Sequence, residues 1–212
     1  MEEDNRAEQG LEPQGMTAEA ARFMGKALTA LFWLRICAIP TGLMTLPQWS
    51  QWIPQLRQLG MVVNYACLIT TSSVYIRLDN RFYRLAGWLD LAGIIASVWL
   101  RSFDRGGWLL VYCVLIFSET LISFYFRTRG HAQILRNTDA GLAGKWKRLG
   151  RGLLGTMAVL ALGIGLLFVS KLVGSLVCLA AMIGVIVVVM MELVYLYKTA
   201  RILRRPEKWE MQ

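Results

Sequence analysis

Six apolar blocks, each close to the length needed to cross a bilayer and most of them flanked by basic or aromatic residues, leave this chain very few folds. They lie at about 27–46, 59–76, 85–100, 107–126, 153–170 and 172–197. A helix rises about 1.5 Å per residue, so about 20 residues cross the roughly 30 Å of hydrocarbon in a membrane. The third block is the shortest and contains Asp90. Hydrophobic residues make up 56% of the chain and charged residues 17%, where a soluble domain carries about a quarter charged. The expectation is an all-α, polytopic membrane protein, a bundle of about six transmembrane helices occupying residues 17–200.

The formal net charge of +9 would point to nucleic acid in a soluble protein. Here the basic residues flank the apolar blocks, which argues for topology and against a nucleic-acid partner. Eighteen Lys and Arg residues fall before the first block, after the second, after the fourth and after the sixth; only Arg57, Arg101, Arg105 and Lys171 fall on the other side. The positive-inside rule then places both termini in the cytoplasm, with a bacterial cytoplasmic membrane as the expected location. Residues 1–16 are acidic and polar, as expected of a disordered tail, and do not resemble a signal peptide. Thr17 is the expected N-cap of the first helix. Residues 201–212 are expected to form a basic cytoplasmic tail.

Residues 127–152 are expected to form a basic amphipathic cytoplasmic loop. Within it Leu142, Trp146, Leu149 and Leu153 recur at helical spacing. Lys145, Trp146, Lys147, Arg148 and Arg151 are therefore candidates for contact with lipid headgroups, anionic ones above all, or with a protein partner. In the last two blocks the pairs Ala161/Gly165 and Ala180/Gly184 have the small-xxx-small spacing that permits close helix approach. This suits an internal hairpin, a membrane-protein partner or a homo-oligomer.

Charge inside the blocks is costly, by a few kcal/mol per residue on insertion scales. Arg35, Asp90 and Glu119 nonetheless lie there, at depths of about 12, 8 and 10 Å from the cytoplasmic end. Arg35 is expected to pair with Asp90, Glu119 or both, and Glu192 to lie near the end of the last block. Polar stripes run through three blocks: Asn64, Thr71 and Tyr75; Asp90, Ser97 and Arg101; Tyr112, Glu119 and Ser123. Arg35, Asn64, Asp90 and Glu119 thus define a candidate polar layer, which is either a solute or ion site or an internal salt bridge that fixes packing.

No catalytic signature, cofactor motif or metal-spaced cluster is present, and His131 is the only histidine. Gly150, Gly152 and Gly155 match the dinucleotide-binding glycine spacing by letter, but a membrane block follows them where a βαβ unit is required. Cys37, Cys67, Cys113 and Cys178 fall inside apolar blocks and read as small buried hydrophobes. The expectation is a non-enzymatic, cofactor-free protein that binds or passes a small solute, alone or as a subunit of a transport complex. The alternative is a scaffold or regulator that acts through its basic cytoplasmic face.

Overall fold

The computed structural model describes residues 17–44, 54–101 and 108–204. The expected acidic tail and most of the expected basic C-terminal tail lie outside them. Among the described residues there are six helices and no strand: α1 (Ala18–Met44), α2 (Pro54–Arg77), α3 (Arg81–Arg101), α4 (Trp108–Leu135), α5 (Ala140–Leu167) and α6 (Lys171–Leu203). Four stretches, Glu19–Thr41, Arg57–Arg77, Ala140–Leu167 and Lys171–Leu203, are long and apolar enough to cross a membrane. The fold is a helical membrane bundle.

Local chemistry sets the helix starts. Thr17 caps α1 as expected, its hydroxyl accepting from the Ala20 N–H at 3.3 Å. The Asn80 side chain accepts from Phe82 and Tyr83 N–H and also donates across to Gln133, tying the α2–α3 turn to α4. Asp139 accepts from the Leu142 N–H at 2.9 Å and caps α5. Nothing between 127 and 135 breaks a helix, so α4 runs on to Leu135 and α5 starts at Ala140. The expected loop at 127–152 is therefore a helix-turn-helix, with only 136–139 non-helical.

Each helix packs against the next in sequence, and α6 returns to pack on α1, so the helices follow one another around a closed ring. The largest fully buried side chains gather at the basic end. There Leu28, Tyr75, Tyr83, Leu135, Trp146, Leu196 and Leu203 share one buried core. At about 50 Å, the 33-residue α6 outruns the hydrocarbon layer, and this core includes its extension. The opposite end of the α5–α6 hairpin exposes Phe168, Val169 and Leu172, an apolar surface of the kind a bilayer covers.

Close contact within that hairpin comes from glycines other than the expected pairs. A Cβ on Gly163 would lie 2.8 Å from Cys178 Sγ, and one on Gly174 would lie 2.5 Å from the Leu167 nitrogen. Ala161, Gly165 and Ala180 face outward instead, and only Gly184 of the expected set is at the seam, against Thr156. The helical spacing was right, but the seam is rotated by about two residues on α5. Cys37 is also exposed, not buried, and Cys67 and Cys178 are half-buried.

Candidate functional site: a charged chamber inside the ring

Helices α1 to α4 line a partly open cavity of about 230 Å³ whose lining includes Arg35, Tyr65, Thr71, Asp90, Gly93, Ser97, Glu119 and Arg127. At about 30 Å³ per water, that is room for about eight waters or one small solute. Three of the four expected layer residues, Arg35, Asp90 and Glu119, meet here. Asn64 does not: α2 turns its neighbour Tyr65, with Leu68 and Thr71, toward the cavity and leaves Asn64 half-buried outside the lining. The side chains of Arg101 and Tyr112, expected in the polar stripes, lie outside the described residues.

The acidic part of the chamber is built by α3 and α4. Asp90 accepts a hydrogen bond from the Ser123 hydroxyl. The Glu119 carboxyl lies beside it, and both line the cavity. Two neighbouring carboxyl groups in such a setting are costly to ionise together, so the pair is suited to sharing one proton. Gly93, one turn beyond Asp90, makes the room: a Cβ there would sit 2.6 Å from the Glu119 carboxyl carbon.

The basic part carries the main correction to the expected pairing. Arg35 forms its ion pair with Glu192, at 3.9 Å, and not with Asp90 or Glu119. Arg127 approaches the same Glu192 oxygen at 3.7 Å. One carboxylate from α6 thus serves guanidiniums from α1 and α4. Arg127 did not stand out in the sequence, and Glu192 was expected only near the end of the last block, for one reason. Both were placed at the ends of shorter spans, whereas α4 continues to Leu135 and α6 to Leu203. These extensions put Arg127 about 12 Å and Glu192 about 16 Å inside their helix ends. Arg127 and Glu192 side chains are only 6% and 8% exposed. The Arg127 guanidinium also lies 5.6 Å from the centre of the Phe124 ring. Even so, Arg35 Nε, Arg127 Nε and Arg127 Nη1 are buried without a hydrogen-bond partner.

At the basic end, the expected headgroup cluster divides. Lys145, Lys147, Arg148 and Arg151 are exposed on α5. Trp146 is 1% exposed and belongs to the core, which removes it from any lipid contact. Its indole donates to the Thr199 hydroxyl at 3.0 Å and stacks on His131 at 4.1 Å. His131 Nδ1 in turn lies 2.6 Å from the Tyr83 hydroxyl. Helices α3 to α6 are joined through this chain of side chains. Burial, assisted by the charge of Arg35, lowers the His131 pKa to about 3, so its ring is neutral. Burial also holds the Tyr83 phenol well above its usual range.

No family model, characterised protein or solved structure matches this chain. Its functional reading therefore rests on the chamber.

Proposed function

We propose that this is a six-pass membrane protein, with both termini on its basic cytoplasmic side, that binds a small polar solute in the chamber and couples binding to a proton. The carrying observation is the Asp90–Glu119 pair. Glu192, and not this pair, makes the ion pairs with both arginines, and the two carboxyl groups face open volume. A salt bridge that only fixed packing would need neither a second set of acids nor the space. At the pair, a proton can be gained or lost without moving a helix, which is what proton-linked binding requires.

A second reading has its own observation. Lys145, Lys147, Arg148 and Arg151 project from α5 into solvent at the basic end, a surface suited to anionic lipid or to an acidic partner. The two readings are compatible, because the surfaces are separate.

The test uses full-length protein in mild detergent, with unfolding followed by tryptophan fluorescence at pH 5.5 and 7.5. Three pools are added in turn: small carboxylates, small amines and neutral sugars or amides. A ligand at a hundred times its Kd stabilises by about 2.7 kcal/mol, which for a chain of this size raises Tm by about 5–10 °C. One pool should do so, with a pH-dependent shift that Glu119→Gln removes. No shift from any pool at either pH would end the solute reading.

A further inference from the structure

We infer that the solute carries a carboxylate, held by Arg127 and Arg35, and that it enters together with one proton taken up by the Asp90–Glu119 pair. This rests on the solute reading above and names the chemical class of ligand.

The orphaned donors carry the argument. Arg127 is nearly fully buried and lines the cavity, yet its Nε and Nη1 have no acceptor, nor has Arg35 Nε. Glu192, at 3.7 and 3.9 Å, supplies charge at distances too long for hydrogen bonds. Buried guanidinium donors left empty are expensive, and a second carboxylate is the group that fits them best in charge and in hydrogen bonding. An ammonium group, which has no acceptor, offers those donors nothing.

Charge balance supplies the proton. Two arginines against Glu192 leave one positive charge. The acid pair with its shared proton carries one negative charge, so the empty chamber is neutral. A carboxylate adds one negative charge at a depth where net charge is costly. One proton from bulk, forming an O–H bond on the acid pair, restores neutrality; no other bond forms or breaks. The charged and titratable groups facing that pair are Arg35 from α1, Tyr65 and Tyr75 from α2, Arg127 from α4 and Glu192 from α6. Helix α5 contributes nothing to the lining.

The experiment compares three-carbon probes on the full chain at fixed ionic strength: potassium propionate, propionamide and propylammonium chloride, each titrated to 100 mM at pH 5.5, 6.5 and 7.5. Propionate should raise Tm, and its apparent affinity should strengthen as pH falls, up to about tenfold per unit for one coupled proton. Propionamide, which keeps the shape and loses the charge, should bind at least about tenfold more weakly. Arg127→Gln should abolish the propionate response. Should that variant fail to fold, the propionate–propionamide comparison on the unaltered protein still decides. Equal response to propionate and propionamide overturns the inference. So does a response confined to propylammonium that weakens as pH falls, although that outcome would leave proton-linked solute binding standing. Silence from all three probes, with the broader pools also silent, removes both.

Discussion

Glu192 is the residue whose loss should cost most. At 3.7–3.9 Å and an effective dielectric of about 20, each of its two ion pairs is worth about 4 kcal/mol before desolvation and arginine–arginine repulsion are subtracted. Breaking a buried pair by removing one partner costs about 3–5 kcal/mol, because the charge left behind has no compensation. Glu192→Gln strands two cations and should fall at the upper end of that range. Glu192→Gln combined with Arg35→Gln and Arg127→Gln leaves no cation without a counter-ion, and should be markedly more stable than Glu192→Gln alone. Reversible unfolding in mixed micelles, titrated with a denaturing detergent, gives the free energies of all three proteins. A single variant within 1 kcal/mol of the parent would show that Glu192 is not the counter-ion. A triple variant no better than the single would show that the cost lies elsewhere than in unpaired charge.

Three further outcomes follow from the packing. His131 has its folded pKa depressed to about 3 against an ordinary 6.5, so its contribution to stability is intact above pH 6.5 and is lost as pH falls. The loss should reach about 2 kcal/mol by pH 5, and His131→Asn should flatten the stability profile between pH 7 and 5; parallel profiles would contradict the buried neutral ring. Gly93→Ala should push the Glu119 carboxyl away from Asp90, costing about 1–3 kcal/mol and weakening the pH dependence of any solute response, whereas Gly144→Ala, where a Cβ meets nothing within 4 Å, should be neutral. Replacing Lys145, Lys147 and Arg148 by Gln should reduce the preference of the protein for anionic over zwitterionic lipid by about 1 kcal/mol per charge removed, measured by lipid exchange in nanodiscs, and should leave the chamber's solute response unchanged.

The fold was readable because its signals are additive. A mostly apolar block of about twenty residues, a threonine before a run of helix formers and basic residues at block ends each speak locally, and α1, capped by Thr17, shows all three. Arg35, Asp90 and Glu119 were also legible, since charge inside an apolar block stands out whatever surrounds it. What escaped notice depended on helix length beyond the apolar window. A hydropathy block stops where polar residues begin, but α4 and α6 continue as helices past that point, and so Arg127 and Glu192 looked peripheral. Trp146 failed for a related reason. Its spacing with Leu142, Leu149 and Leu153 correctly gave one apolar face, but spacing cannot tell whether lipid or protein covers that face; here Thr199, His131 and the core do. One local signal was there to be read: Gly93, one turn from Asp90, is a gap left for a second carboxyl group.

The closure of α6 on α1 has a consequence for how the protein is made. Arg35 and Arg127 leave the ribosome well before their counter-ion. The 157 residues separating Arg35 from Glu192 take roughly 8–30 s to synthesise at about 5–20 residues per second. Throughout that interval the first helix must either carry an uncompensated cation into the insertion machinery or remain at the interface with its guanidinium in water. The final helix is then more than the last wall of the chamber: its arrival is the event that allows the earlier helices to settle at full depth, and a nascent chain stalled before it should remain open to proteolysis and accessible to chaperones.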